Sequence, residues 1–517
     1  MADAEAAQLL PGHLSSRAAR AIRPALSYFK AFLEAQSRQW SPEDPDGNII
    51  LSVAENRLTA DMVRDRLAQS AADFPPSALS YADMRGLPRL RRVLAEMLEE
   101  TFMRGISVDP DHLTVSAGAG AVLENLFHCI AGPGDVVLIP APYYPAFDND
   151  LQVKCAVQPW PFHLDEDRPV GPQLDAAAAA AMAAMTAGLP PTTPTPTSTS
   201  PDAGACNGSD GASNGASIGQ QPDQHHQQQQ APQPPQHPSQ QPPGRRVSAV
   251  LFTNPNNPLG TRYREETVLE LMRWCLGRGV HLVSDEIYGN SVFGPGATFI
   301  SAEVLARGEQ AAALPRSHLL PELLHVVWGL SKDLCASGLR CGCLHTRNGA
   351  LRQALDNLGY FCALPNPTQW ALIHALEDRE WRAAFLRTNR ERMREAYGKL
   401  EASLDAAGIP HVRADSAMFC WVDLRCWLPE RSWEGEAALW AALCGECGVL
   451  LTPGEQCHAA EPGFFRVCWA WVPPDALPEA VRRLSRRFGR GGKVPAEAGA
   501  AAAEAGAAAE AGAAAEV

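Results

Sequence analysis

Short apolar runs rich in β-branched residues recur along the chain, and each is bounded by Gly, Pro, Asn, Asp or Ser. Four of them lie at residues 136–139, 247–252, 280–283 and 324–328. Runs of this length and composition are typical of strands buried on both faces of a parallel sheet. Segments with helical spacing of apolar residues accompany them at 116–130 and 265–276. The alternation predicts an α/β protein in which crossover helices cover a mostly parallel sheet.

Polar side chains with reactive groups follow the predicted strands at their carboxyl ends. They are Tyr143, Tyr144, Asn254, Asn257, Asp285, Tyr288 and Lys332. Because ligands bind along this edge of an open α/β sheet, we expect these residues to lie close together although they are far apart in sequence. Taken alone, Lys332 could be a surface lysine and Asp285 a helix cap. The combination is therefore the informative observation.

An amine, a carboxylate, a phenol and an amide on one edge match the requirements of pyridoxal 5′-phosphate. Lys332 would hold this cofactor as a Schiff base, and Asp285 would keep its pyridine nitrogen protonated so that the ring accepts electrons. Tyr288 and Asn257 would donate hydrogen bonds to the cofactor's 3′ oxygen and lower the pKa of the imine. The sequence thus predicts catalytic roles for Lys332, Asp285 and Tyr288.

The phosphate of such a cofactor needs backbone N–H groups and a cation. A predicted helix begins at Ala119, Gly120 and Ala121. The first N–H groups of a helix are free to donate hydrogen bonds to an anion. Arg340 follows Lys332 and offers a guanidinium fork to phosphate oxygens. We expect these four residues to form the phosphate site.

Several motifs spread over nearly all of the non-repetitive sequence carry a family resemblance. They are Ala54-Glu55-Asn56, Ser116 to Ala119, Pro142 to Asp148, Asn254 to Thr261, Ser284 to Tyr288, Leu330 to Leu334 and Glu461 to Cys468. At these residues the chain resembles the class I aminotransferases among the fold-type I pyridoxal phosphate enzymes. Within that group it is similar to the 1-aminocyclopropane-1-carboxylate (ACC) synthase and synthase-like branch.

The resemblance implies a fold and further roles for particular residues. The expected fold is a large domain with a mixed, mostly parallel sheet flanked by helices, and a smaller α/β domain. Tyr144 would stack on the pyridine ring, Ser331 would contact the phosphate, and Arg466 would bind the substrate α-carboxylate, with Glu55 near the substrate. The resemblance also implies a homodimer with the site at the subunit interface.

Two positions depart from the synthase pattern. Met84 stands where the synthases have a tyrosine that reaches the cofactor phosphate across the dimer. Gly329 stands where they have a serine that contributes a second phosphate hydroxyl. Both differences favour a transaminating enzyme over a true ACC synthase.

The domain organisation is interrupted by two low-complexity segments. Residues 171–246 contain Ala, Pro/Thr/Ser and Gln/His tracts, which predict a disordered surface insertion, and 491–517 predict a disordered Ala/Glu/Gly tail. We assign residues 1–75 to an N-terminal arm and part of the small domain. Residues 76–345 form the predicted large domain, and 346–490 the predicted long helix and C-terminal small domain.

Composition excludes several classes of partner. The net charge is −14, with both signs interspersed, which argues against a nucleic-acid surface. No apolar run approaches the length of a membrane span, and we expect a cytoplasmic protein. Cys444 and Cys447, with Cys457 and His458, resemble parts of a metal site, but a complete second pair is missing, so no metal is predicted.

Three functions remain open on the sequence. The first is an aminotransferase that converts an amino acid to a 2-oxo acid. The second is an ACC synthase or a related carbon-sulfur lyase acting on S-adenosylmethionine or a sulfur amino acid. The third, a silent scaffold that binds partners through its Gln-rich tract, conflicts with the presence of Lys332, Asp285 and Arg466.

Overall fold

The four predicted strands occupy adjacent positions in a seven-stranded sheet. The computed structural model describes residues 15–22, 29–70, 75–187 and 245–489. Its strands are β1 (Ile49–Ile50), β2 (Leu113–Ala117), β3 (Val136–Ala141), β4 (Gln158–His163), β5 (Val247–Thr253), β6 (His281–Asp285), β7 (Leu324–Gly329), β8 (Cys341–Thr346), β9 (His411–Val412), β10 (Phe419–Asp423), β11 (Val449–Leu450), β12 (Thr452–Pro453) and β13 (Phe464–Cys468). The seven-stranded sheet has the order β2-β8-β7-β6-β5-β3-β4.

Strand directions in this sheet are mixed but mostly parallel. β3 pairs in parallel with β4 and β5, and the parallel pairing continues through β6 to β7. β8 runs antiparallel to both β7 and β2. The predicted fold class is therefore confirmed. The sequence did not predict β8, whose direction depends on the turn that follows Lys332.

Helices lie before, between and after these strands. They are α1 (Ser16–Ile22), α2 (Phe29–Gln36), α3 (Ala60–Ser70), α4 (Pro88–Glu100), α5 (Ala119–Ile130), α6 (Phe147–Gln152), α7 (Val170–Ala187), α8 (Glu265–Arg278), α9 (Ala302–Ala306), α10 (Glu309–Ala312), α11 (Leu320–Leu323), α12 (Leu330–Asp333), α13 (Gly349–Gly359), α14 (Asn366–Leu376), α15 (Arg379–Ala407), α16 (Trp433–Gly445) and α17 (Ala476–Phe488). α5 and α8 are the two predicted crossover helices. Each buries an apolar stripe, such as Leu123, Leu126 and Phe127 in α5.

A second set of strands brings together a segment near residue 50 and segments of the C-terminal third of the sequence. β12, β13, β10 and β9 form a four-stranded sheet, and β1 pairs in parallel with β11. A shared hydrophobic core joins Ile49 and Ile50 to residues of α15, β10, β13 and α17. This core gathers the segments that the sequence analysis assigned to a small domain, whose boundaries stay a prediction.

Helix α7 corrects the predicted start of the disordered insertion. Residues 171–187 were assigned to that insertion, but they form most of α7. Leu174, Ala177 and Ala181 are buried there, and the Nε1–H of Trp274 in α8 donates to Asp175 at 2.8 Å. The predicted start at residue 171 is therefore wrong. The rest of the insertion up to residue 244 and the predicted tail lie outside the described residues.

Two further observations concern function classes. Among residues 15–22, 29–70, 75–187 and 245–489, no helix has the length and apolarity needed to cross a membrane. Within the same ranges, no group of three or more His, Cys, Asp or Glu side chains is arranged to hold a metal ion. Cys457 is fully buried, and burial raises the pKa of its thiol to about 12.

Candidate active site

Lys332 lies on the short helix α12, directly after β7. Its Nζ donates a hydrogen bond to the main-chain carbonyl of Ala54, which belongs to the N-terminal segment that follows β1. Burial lowers the pKa of the amine, although Cys468 and Glu55 act in the opposite direction. Because a lowered pKa increases the fraction of neutral amine, Lys332 is suited to nucleophilic and base chemistry.

Asp333 anchors the helix that carries this lysine. Its buried carboxylate accepts hydrogen bonds from the Ser291 hydroxyl at 2.6 Å, the Trp328 Nε1–H at 2.8 Å and the Asn290 N–H at 2.9 Å. Burial raises its pKa to about 6. These three contacts fix the backbone beside Lys332. Asp333 lies within one of the quoted motifs but was given no role, because two of its three partners, Asn290 and Ser291, come from the segment after β6.

Asp285 is the last residue of β6 rather than a residue beyond the strand. Its carboxylate accepts hydrogen bonds from the Thr253 hydroxyl and the Ile287 N–H, both at 3.3 Å. Burial raises its pKa to about 7, and the charge of Lys332 acts in the opposite direction. A cation placed against this carboxylate would stabilise its ionised form.

Tyr288, Asn257 and Arg466 form a buried chain of polar contacts. The Asn257 Nδ2 lies 3.4 Å from the Tyr288 hydroxyl, and the Asn257 Oδ1 accepts a hydrogen bond from Arg466 Nη1 at 3.0 Å. Tyr288 is 2 % exposed and Arg466 is 1 % exposed. Burial raises the pKa of Tyr288 well above its usual value, so its hydroxyl is protonated and can donate. The predicted phenol and amide thus share a site with the predicted carboxylate-binding arginine.

The guanidinium of Arg466 is held from three sides. Its Nη2 donates to the Ser52 carbonyl at 2.8 Å and to the Thr452 hydroxyl at 3.0 Å. The group also lies over the ring of Phe419, 4.8 Å from the centroid. Sequence reasoning missed Ser52 and Thr452, because Thr452 reaches Arg466 only through the pairing of β12 with β13.

The start of α5 lies against Arg340. No side chain caps this helix at Gly118, which has a left-handed φ of 92°. A Cβ at Gly118 would collide with the guanidinium of Arg340. The N–H groups at Ala119, Gly120 and Ala121 therefore lie next to a cation, which is the arrangement that an anion such as phosphate requires.

Three other predicted residues have looser ties to this group. Tyr144 packs edge-on against Phe147 with ring centroids 5.3 Å apart, and it interacts electrostatically with Tyr288. Glu55 lies 3.6 Å from Arg57, and its charge acts on Lys332. Ser331 is buried, and its carbonyl accepts a hydrogen bond from Ser337. The roles assigned to these three residues stay predictions.

Gly329 and Met84, the two positions that differ from the synthase pattern, have different structural surroundings. At Gly329 a Cβ would lie 2.8 Å from the Cys341 carbonyl oxygen and 3.1 Å from the Gly342 Cα, so the close approach of β7 to β8 requires glycine there. Met84 instead lines an open cavity of about 810 Å³ formed by residues 78–84 and 360–369. Lys332 and Arg466 are not among the residues that line this cavity.

Taken together, the site offers a nucleophilic amine, a buried acid, a phenol, a guanidinium and an anion cradle. The amine and the acid interact electrostatically, as do the amine and the two arginines Arg340 and Arg466. Such a set can hold an anionic cofactor at one end and a substrate carboxylate at the other. The amine of Lys332 can act as a proton acceptor in such a site.

Comparison with known proteins gives a consistent result. The profile of the family "Aminotransferase class I and II" matches residues 48–187 and 222–484. The chain is 30 % identical over 475 residues to 1-aminocyclopropane-1-carboxylate synthase 1 of Oryza sativa subsp. indica, covering 89 % of this chain and 84 % of that protein. It is 30 % identical over 468 residues to 1-aminocyclopropane-1-carboxylate synthase 9 of Arabidopsis thaliana, covering 89 % and 87 %.

Solved structures show the same fold. A double mutant of Thermus thermophilus aspartate aminotransferase superposes with a TM-score of 0.63 at 22 % identity, covering 92 % of this chain and 99 % of the other. The aromatic aminotransferase of Pyrococcus horikoshii gives a TM-score of 0.60 at 17 % identity, covering 85 % and 95 %.

Proposed function

Because this chain belongs to the class I and II aminotransferases, we propose that it binds pyridoxal 5′-phosphate and uses it to transform an α-amino acid. The observation that carries the proposal is the chain of contacts from Arg466 through Asn257 to Tyr288. It connects a guanidinium suited to a carboxylate with the donors suited to the cofactor. Lys332 and Asp285 belong to the same group of interacting residues.

The residues fit the cofactor at both of its ends. The uncapped start of α5 and the Arg340 guanidinium over Gly118 form a cradle for its phosphate. The buried Asp285 carboxylate, whose pKa is raised to about 7, suits a protonated pyridine nitrogen as its cationic partner. Lys332 would hold the cofactor through its amine. When bound, the cofactor withdraws electrons from the substrate Cα.

Each protein group then has one task. Arg466 binds the substrate α-carboxylate, and its contacts with Ser52 and Thr452 fix the direction of the fork. With the cofactor bound, Lys332 would act as the base that accepts the Cα proton, since burial lowers the pKa of its amine. Tyr288 and Asn257 would donate hydrogen bonds to the cofactor's 3′ oxygen. Tyr144 would cover the cofactor ring.

We propose transamination as the main reaction, with a 2-oxo acid as product. Transamination needs only the movement of a proton between neighbouring carbons, whereas ring closure also needs an aligned leaving group. Met84 and Gly329 lack the two hydroxyls that would anchor the phosphate further. A less restrained cofactor disfavours the more demanding reaction first.

Replacing Lys332 tests the proposal directly. The purified protein should absorb in the visible range, and Lys332→Ala should lose both this band and turnover. Lys399→Ala is the control, because Lys399 is an exposed lysine paired with Asp475 and should leave both unchanged. A Lys332→Ala protein that kept the band and its activity would contradict the assignment.

A second candidate function is ACC synthesis. The observation that favours it is that both relatives described above are ACC synthases, matched over 84 % and 87 % of their lengths. Product analysis with S-adenosylmethionine and with a panel of amino acids separates the two reactions. We expect 2-oxo acids from common amino acids and little or no ACC. Efficient ACC formation would reverse this order.

We further propose a homodimer whose site lies at the subunit interface. Leu79 at 87 %, Tyr81 at 90 % and Tyr360 at 63 % are widely exposed around the cavity that Met84 lines, and Phe361, whose ring contacts that of Tyr360, is 82 % exposed. Exposed apolar patches of this kind mark interaction surfaces. Sedimentation analysis of Phe361→Glu should show a weaker dimer than that of the parent. The predicted cytoplasmic location stays a prediction.

A further inference from the structure

The loop between β12 and β13 carries a histidine that contacts the turn after β3. His458 Nε2 lies 2.8 Å from Asp148 Oδ2. The other oxygen of this carboxylate accepts a hydrogen bond from the Tyr143 hydroxyl at 2.7 Å. The imidazole also stacks on the Tyr143 ring, with centroids 4.4 Å apart. Side chains from two distant segments thus form one connected unit.

A main-chain hydrogen bond supports the same junction. The Tyr143 N–H donates to the Cys457 carbonyl at 2.9 Å. Tyr143 is 2 % exposed and Cys457 is fully buried, so water competes poorly for this bond. The junction therefore combines a side-chain hydrogen bond to a carboxylate, a ring stack and a buried backbone hydrogen bond.

On one side of the junction, the histidine loop is firmly attached to the carboxylate-binding strands. The buried Glu436 carboxylate accepts the N–H of Glu455 at 2.9 Å and the N–H of Gly463 at 2.6 Å, near the two ends of the loop. The loop starts from β12 and leads into β13, where Thr452 and Arg466 are direct partners. A displacement of His458 is thus transmitted toward Arg466.

On the other side, Asp148 and Tyr144 belong to the same turn. Asp148 is in the first turn of α6, and the ring of Tyr144 packs against Phe147 of that helix. Tyr143 and Tyr144 are consecutive residues. Holding Tyr143 and Asp148 therefore also holds Tyr144.

We propose that His458 is a positioning residue that fixes the spacing between the two walls of the active site. This proposal rests on the proposed function, in which Tyr144 would form one wall against the cofactor ring and Arg466 would form the other wall against the substrate carboxylate. With the junction intact, substrate meets both walls already in place. Without it, part of the binding free energy is used to bring them together, and affinity falls.

Two variants of similar size separate hydrogen bonding from packing. His458→Gln keeps a donor near Asp148, whereas His458→Leu removes it. His458 has a left-handed φ of 57°, and since both replacements are unbranched at Cβ, the backbone strain is similar in the two variants. Arg264→Gln is the control, because it removes an ion pair of the same 2.8 Å length on the exposed surface.

We expect His458→Leu to raise the KM for the amino acid about ten-fold, the size of one lost charge-assisted hydrogen bond, and to change kcat less. Hydrogen exchange in the peptide that contains Tyr143 should become faster. His458→Gln should recover most of both losses, and Arg264→Gln should match the parent. Equal behaviour of the Gln and Leu variants would show a packing role alone and overturn the proposal.

A double-mutant cycle provides an independent check. The double variant Asp148→Asn/His458→Leu should have the same KM and the same hydrogen-exchange rate near Tyr143 as His458→Leu alone, because both changes break the same contact. Fully additive losses would overturn the proposal. Hydrogen exchange is measurable without the cofactor, so a parent protein lacking a visible band would refute the proposed function while this comparison still tests the junction.

Discussion

The two ends of the central strands both bury polar side chains, but they do so in different ways. At the carboxyl end, Asp285 closes β6 and Lys332 follows β7. At the amino end of the same strands, His281 Nδ1 and His325 Nε2 lie 2.9 Å apart, and His325 Nδ1 lies 2.9 Å from the Thr346 hydroxyl. Burial lowers the pKa of His281 to about 4 and that of His325 well below its usual value.

The two ends of the strands differ in the charge of their polar side chains rather than in how deeply these are buried. The amino-end histidines are neutral and use one another and Thr346 as partners. The carboxyl end instead brings together an acidic and a basic group. Burial raises the pKa of Asp285 and lowers that of Lys332, so that both pKa values lie closer to neutral pH than usual. Burial of polar groups alone therefore does not identify a functional site, whereas converging acidic and basic groups do.

The largest expected effect separates catalysis from stability at the carboxyl end. Asp285→Asn should lower kcat by about 10²–10³-fold, the range seen when one preorganised electrostatic partner is removed. The free energy of unfolding should not fall, because a neutral amide replaces a buried carboxylate. Steady-state kinetics and thermal unfolding measure the two effects.

Glu286→Gln is the matched control for this prediction. Glu286 is also buried and its pKa is also raised to about 7, but it accepts hydrogen bonds from Ser284 and the Ala302 N–H. We expect the kcat of the Glu286→Gln variant to stay close to that of the parent protein. Equal losses in the two variants would mean that burial, not position, decides the outcome.

Arg466→Lys should act on substrate affinity. A planar fork holds a carboxylate by two hydrogen bonds and an ammonium does not, so the loss is about 1.5–3 kcal/mol, or roughly 10- to 150-fold in KM. Retention of the cofactor should change little. Kinetics with several amino acids and dialysis of the loaded protein check both statements, and an unchanged KM would refute the assignment.

Gly329→Ser probes a structural requirement at the catalytic end. The new Cβ would press on the Cys341 carbonyl, and overpacking of this kind costs about 1–3 kcal/mol. Thermal unfolding should show a lower Tm. Gly338→Ser is the control, because nothing lies within 4 Å of a Cβ at Gly338. A Gly329→Ser protein as stable as its control would show that β7 and β8 separate easily.

The smallest expected effect belongs to the amino end and depends on pH. Folded His281 has a pKa of about 4, whereas in the unfolded chain it titrates near 6.5. As pH falls below about 6.5, the unfolded state takes up a proton that the folded state refuses, so the free energy of unfolding decreases down to about pH 4. We expect His281 to contribute about 1–2 kcal/mol to this loss.

Comparing the parent with His281→Gln isolates this contribution. Buried carboxyl groups such as Asp285 and Asp333 have raised pKa values and therefore favour folding on acidification, so the total pH dependence combines opposite effects. The difference between the two proteins removes the carboxyl contribution. Urea unfolding at pH 7 and pH 5 provides the data, and identical pH dependence would contradict the neutral state of His281.

The central strands could be predicted because each is a continuous apolar run between turn residues. Helix α7 could not, because its Ala-rich sequence was judged by low complexity. Alanine has the highest helix propensity, and the spacing of Leu174, Ala177 and Ala181 places three small or apolar side chains on one face. Composition describes what a segment lacks, whereas burial depends on where its few apolar residues stand.

Within the site, Lys332, Asp285, Tyr288 and Asn257 were predictable because parallel strands deliver their carboxyl ends to one edge. The contacts of Asp333 with Ser291, of Thr452 with Arg466 and of His458 with Asp148 were not predictable, since they depend on how segments that are separate in sequence pack together. His458 was considered only as part of an incomplete metal motif. Its contact with Asp148 becomes visible only when the second sheet is packed against the first.

The bond between Arg466 and the Ser52 carbonyl joins residues 414 positions apart. During synthesis, Ser52 leaves the ribosome early and waits for nearly the whole polypeptide before its partner is made. A chain released after β8 would already contain Lys332 and Arg340 but would lack Arg466, the residue that we propose binds the substrate carboxylate. The order of translation therefore delays completion of the proposed site until the C-terminal strands exist, and an unfinished chain would have the amine of Lys332 without the guanidinium of Arg466.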